Sequence, residues 1–238
     1  MNAKRFVHQE QELAQLTRDF LTAAGSCWRI AGRVKRLSDN ALVLRQIDDL
    51  MQSALAVFSL AREGVHSPVR RELCHMLAAC VRTLYVDQQH PEASLEHRRV
   101  VLQEGVHRSW IEKLGELRLE AFGNLARRKF EADMRALHAE LSRYVPAPRQ
   151  QVETALRLME KGHYPGFAAE TDLAGLNKDI FRLYEILIVL LLHGIGMTLA
   201  GEVFVKIFDE EPEWAFHKGV YIDQMSTYFD YKYERRSV

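Results

Sequence analysis

The sequence is poor in residues that interrupt helices. Among 238 residues there are 6 prolines and 13 glycines, and the apolar residues between them recur at spacings of three and four rather than two. That pattern predicts an all-α protein, a single helical bundle spanning 1–238 with its core at about 40–208 and an aromatic, charged tail at 209–238. Cysteine is scarce too: Cys27, Cys74 and Cys80 make an odd count whose spacing gives neither a zinc knuckle nor a disulfide framework, which fits a reducing cytoplasm. Neither charge sign is in excess, since Lys plus Arg and Asp plus Glu each total 32. No global basicity therefore points to a nucleic acid, and any such site has to be local.

Other absences narrow the chemistry. The first residues, MNAKRFVHQEQELAQL, carry charge throughout and lack the apolar stretch of a secretory signal. No HExxH, paired ExxH or carboxylate-rich calcium loop is present, and Asp48-Asp49 and Glu210-Glu211, being adjacent, diverge by about 100° on a helix. No metal or cofactor is expected. No lipase-type serine elbow, solenoid repeat or low-complexity tract occurs. The uncharged run Ile186 to Gly201 (ILIVLLLHGIGMTLAG) is shorter than the roughly 20 residues a spanning helix needs, is interrupted by His193, and is bounded by Glu185 and Glu202. It reads as a long buried helix near the C-terminus rather than a membrane span.

What is present divides into helical segments. Patterns cover roughly 4–24, then a helix capped by Ser38 or Asp39 and ending at Gly64, then one capped by Ser67 with Pro68 at its first position and running to about Gln88. Others span about 93–103, 108–144, 148–161 and 177–208, with a long loop at 161–176. In GIGMTLAG the glycines sit inside the apolar run. Their role there is to let a neighbouring helix approach closely, because a phosphate-cradling loop needs a strand before it. His193, in the same run, is either a core histidine satisfied by a neighbouring helix or a group with a shifted pKa.

The stretch HSPVRRELCHM (66–76) carries the sharpest chemical hint. Its Arg70 and His75, spaced R-x4-H on a helix, resemble the motif of the HEPN superfamily; Arg157 and His163 share a permitted spacing but straddle Gly162. The resemblance implies a metal-independent endoribonuclease acting as a homodimer, with His75 as general acid/base and Arg70 as phosphate clamp. Family members often place a small polar or acidic residue after the arginine, whereas here Arg71 follows. Imidazole suits proton transfer near neutral pH and guanidinium suits the phosphate of the transition state.

On this helix Val69, Leu73, Leu77, Cys80 and Leu84 form one stripe, and Arg71, His75, Ala78 and Arg82 lie nearly opposite. Arg70 falls nearer the apolar stripe, where a neighbour's carboxylate is a fitting partner. The order of helices through RTLYVDQQ (82–89) also resembles helical domains of bacterial defence and abortive-infection systems. Basic clusters recur at WRIAGRVKR (28–36) and NLARRKF (124–130). In the tail, Trp214, Phe216, Tyr221, Tyr228, Phe229, Tyr231 and Tyr233 alternate with His217, Lys218, Lys232, Arg235 and Arg236, a composition for stacking on RNA or for docking a terminal helix onto the bundle. Arg71, Arg82, His217 and Lys218 are the candidate RNA contacts. Two functions follow: a HEPN-like RNA-binding protein that cuts RNA in a stress or phage-defence setting, or a catalytically silent helical adaptor that binds a protein partner or oligomerises.

Overall fold

The computed structural model describes residues 3–105, 110–145 and 170–229, with isolated positions between 153 and 162. Among them no strand occurs. In chain order the helices are α1 (Ala3–Ala31), α2 (Lys35–Asn40), α3 (Leu42–Arg62), α4 (His66–Gln89), α5 (Leu95–Glu104), α6 (Asn124–Ser142), α7 (Glu170–Ile195), α8 (Met197–Glu210) and α9 (Val220–Tyr228). Short 3-10 turns lie at Trp110–Glu116 and Ala215–Lys218.

Only the first part of the apolar run, to Ile195 in α7, lies at the centre of the bundle, where α7 packs against α1, α3, α4, α6, α8 and α9; Gly196 and Thr198 beyond it are exposed. Every residue from 183 to 193 is buried, so this helix has no solvent face along that length. Phe20 of α1 stacks on Tyr184 at 4.3 Å between ring centroids. Each fully buried Leu or Ile here contributes about 1.5–3 kcal/mol relative to exposure.

Several boundaries differ from the expected ones. The run does not continue as one helix over 177–208: it breaks at Gly196, whose φ of +87° favours glycine, and restarts as α8. Gly194, by contrast, does let a neighbour approach, since a Cβ there would lie 2.9 Å from Val43 Cγ1 of α3. Part of the expected 161–176 loop is helical, because α7 begins at Glu170 and buries Leu173 and Leu176. The expected 108–144 helix is interrupted; after the 3-10 turn, residues 117–123 run without helix while burying Leu117, Leu119, Ala121 and Phe122. The expected 148–161 helix falls largely outside the described residues.

Helix α3 does end at Gly64. Val65 N–H donates to Leu60 O at 2.9 Å and Gly64 N–H to Ala61 O at 3.1 Å, with Gly64 at φ +74°, the paired bonds of a Schellman motif. Its start has a less local cause. Ser38 and Asp39 belong to α2, and the first amides of α3, Leu42 and Val43, donate to the carboxylate of Asp87 on α4 at 3.0 and 2.9 Å. The cap lies more than forty residues along the chain from the helix it caps.

The tail docks as far as it is described. Trp214 and Phe216 are buried, Trp214 Nε1 donates to Asp19 O at 3.0 Å and Ala215 N–H to the Asp19 carboxylate at 2.7 Å. Tyr231, Lys232, Tyr233, Arg235 and Arg236 lie outside the described residues.

Candidate functional site

Helix α4 places Arg70 and His75 about 140° apart around its axis, since five residues at 100° each overshoot one turn by that amount. Arg70 leans into the protein. Its Nε lies 3.3 Å from Asp179 Oδ2 of α7, and its guanidinium sits 5.0 Å from the ring centroid of Tyr144. The neighbouring carboxylate anticipated for Arg70 is therefore Asp179. Burial pushes the Asp179 carboxyl up, against the opposing pull of Arg70. His75 is exposed on the outer surface. Neither residue lines any cavity described below.

The candidate RNA contacts separate as well. Arg71, half-buried, shares a face with His75 four residues on. Between them, Glu72 instead accepts from Ser53 Oγ of α3 at 2.6 Å. Arg82 lines an apolar cleft of about 160 Å³ with Tyr85, Val101, Leu102, Trp110 and Lys113, and its buried Nε has no hydrogen-bond partner among the described residues. His217 is held by Glu211 O at 3.1 Å and meets the Trp214 ring edge-on. Lys218 lines a cavity of about 210 Å³ beside Lys129, Arg182 and Glu185. There Glu185, 5% exposed, accepts from the Tyr221 amide at 2.6 Å and so caps α9, while Tyr221 donates its hydroxyl to Asp133. Burial raises the Glu185 carboxyl above its ordinary value against those amide bonds.

The densest convergence of polar side chains lies at the other end of α4. A cavity of about 430 Å³ is lined by Arg36 and Leu37 of α2, Asp87 and Gln88 of α4, Arg98 of α5, Arg118 and Glu120 of the non-helical segment, and His193, Gly194, Gly196 and Met197 at the α7–α8 break. Arg98 is 5% exposed and pairs with Asp87 at 2.9 Å while also donating to Asn40 O and Pro91 O. Its Nε, buried, has no hydrogen-bond partner among the described residues. Arg36 and Arg118 are exposed and, among the described residues, bond through Nη2 alone, the first to Glu92 and Pro91 O, the second to Gln88 O.

His193 bridges this cavity to the core. Nδ1 lies 2.7 Å from Val189 O, so it carries the proton, and Nε2 accepts from Ala121 N–H over a long 3.4 Å. Burial pushes its pKa down to about 4, so the ring is neutral at physiological pH. His193 is thus a buried histidine, but its strong bond is to its own helix one turn back rather than to a neighbouring one, and its pKa is shifted as well.

Among the described residues, no group of three or more His, Cys, Asp or Glu is placed to hold a metal ion, and no helix is long and apolar enough to cross a membrane. Comparison with protein-family models, with curated proteins and with solved structures finds no match. Sequence reasoning had marked three contributors to the cavity separately: the basic cluster ending at Arg36, His193, and the glycines after it. Asp87, Arg98 and Arg118 carried no local signal, because only the fold brings them together.

Proposed function

We propose that this chain is a non-catalytic helical binding protein, an adaptor or regulator that recognises a protein partner or a second copy of itself. The observation that carries this reading is the placement of Arg70: its guanidinium leans on Asp179 and lies over Tyr144, about 140° around α4 from the exposed His75. A phosphate clamp and its imidazole must reach the same phosphate. In this chain the two groups serve different surfaces.

A second reading keeps the HEPN resemblance, an RNA-binding, metal-independent endoribonuclease working as a homodimer in bacterial defence. It is favoured by one feature: His75 is exposed with Arg71 one turn before it, so a symmetry mate could complete a site at that face. The test is RNA cleavage in excess chelator, on a mixed tRNA and single-stranded pool, comparing wild type with His75→Ala and Arg70→Ala. The adaptor reading expects no cleavage above a mock purification. Chelator-resistant cutting that both substitutions abolish, with helical circular dichroism unchanged, would overturn it and establish the nuclease.

A further inference from the structure

We propose that the cavity at the α7–α8 break is a binding site for a small phosphate monoester whose remainder carries hydroxyl groups. The volume, about 430 Å³, falls within the range of about 300–1,000 Å³ typical of metabolite sites. Its lining comes from α2, α4, α5, the 117–121 segment and the α7–α8 junction, so donors from five parts of the fold surround one cavity. Convergence suits a compact anion; a polymer backbone needs an extended track.

Four features supply the recognition. Among the described residues, Arg36 and Arg118 each have partners at Nη2 alone, and a guanidinium presents its remaining donors as a fork matched to phosphate oxygens. Helix α8 opens at the cavity on Gly196 and Met197, and no side chain caps it, so its first amides and the positive end of its dipole are available to an anion. Arg98 adds a buried positive group in the lining whose Nε lacks a hydrogen-bond partner among the described residues. His193 offers Nε2 as an acceptor, held at present only by the 3.4 Å amide contact, and an acceptor on the wall asks for a hydroxyl on the ligand.

The carboxylates do not close the site. Asp87 is consumed by Arg98 and the two α3 amides. Glu92 holds Arg36, yet its side chain is 82% exposed and that of Arg36 62%, and such surface pairs yield readily to a better anion. Glu120 is exposed and has no hydrogen bond among the described residues, so it can turn to solvent. Three sequence features with no shared role in the bundle acquire one here: a basic cluster, a histidine inside an apolar helix, and a glycine that ends it.

The site is independent of the reading of Arg70 and His75, and its test does not use RNA cleavage. The experiment is isothermal titration at constant ionic strength with ribose 5-phosphate, ribose and inorganic phosphate, on wild type, Arg36→Ala, Arg118→Ala and, as a charge-matched control on α5, Arg99→Ala. Both cavity arginines are exposed, so the variants retain the fold, checked by circular dichroism. The expected result is saturable binding of ribose 5-phosphate, tighter than inorganic phosphate and absent with ribose, weakened about tenfold or more by each cavity substitution and unchanged by Arg99→Ala. Absence of heat with the phosphates at millimolar concentration overturns the proposal, as does equal weakening in Arg99→Ala. A short single-stranded RNA that binds through Arg118 where ribose 5-phosphate does not would instead make the cavity part of an RNA surface.

Discussion

At its N-terminal end, α4 meets α7 through Arg70 and Asp179, a single 3.3 Å contact between side chains 17% and 22% exposed. At its C-terminal end it meets α5 through Asp87 and Arg98, at 2.9 Å and 6% to 9% exposed. The second carboxylate also receives the Leu42 and Val43 amides and thereby caps α3. One pair joins two helices already held by apolar packing; the other fixes three helix ends at once. The value of an arginine–aspartate pair in this bundle is set by what else the carboxylate holds, not by the pair itself.

The largest test of that contrast is removal of Asp87. Asp87→Ala leaves the buried Arg98 charge unpaired and two helix-start amides orphaned, with an expected loss of about 3–5 kcal/mol from the pair and about 1 kcal/mol from the cap. Urea unfolding followed by circular dichroism gives the number. A loss no greater than that from Asp179→Ala would break the comparison.

The cavity end of α4 also predicts a pH dependence, through the His193 imidazole. Folding holds the pKa of His193 at about 4, below the ordinary 6.5, because burial penalises the cation. A depressed imidazole pKa means that the unfolded chain binds the proton first. The contribution is complete above pH 6.5 and is lost as pH falls towards 4, by up to about 3 kcal/mol. Unfolding free energies of wild type and His193→Gln, measured across that window, should converge as the pH drops; parallel curves would show that His193 does not titrate as described.

Smaller again is the helix break. Gly196→Ala places a Cβ at φ +87° and is expected to cost about 1–2 kcal/mol, although nothing stands within 4 Å of that Cβ. Gly25→Ala, inside α1 and equally uncrowded, should stabilise by about 0.5–1 kcal/mol. Opposite signs at two open glycines would show that backbone conformation alone separates them, and thermal melts of both variants check it.

The helical class and the end of α3 at Gly64 were legible because each rests on local pattern: apolar spacing, and a glycine after the last apolar position. The α3 start was not, because Asp87 caps from a distant helix and Ser38 and Asp39 look like better local candidates. The interruption at 117–123 was hidden for a related reason: Leu117, Leu119, Ala121 and Phe122 are as apolar as helix-face residues, while tertiary bonds such as those of Gln88 to the Arg118 backbone occupy groups a helix would use. Site residues fared by the same rule. Arg70 and His75 could be placed on different sides of α4 from the helical period, and Arg70 near a carboxylate, but the cluster of Arg36, Arg98, Arg118 and His193 exists only once four chain segments meet.

The smallest expected effect bears most directly on function. A double-mutant cycle of Arg70→Ala and Asp179→Ala should return a coupling of about 0.2–1 kcal/mol, because both side chains are partly solvated and the pair has one contact. Arg70→Ala alone should cost slightly more than the coupling, since its stem and guanidinium also cover Tyr144. Such values would mean that Arg70 can leave Asp179 cheaply. A partner surface or a second copy could then recruit it without unfolding α4. A coupling of several kcal/mol would instead make the pair a structural lock, and the N-terminal end of α4 would resemble the Asp87 end after all.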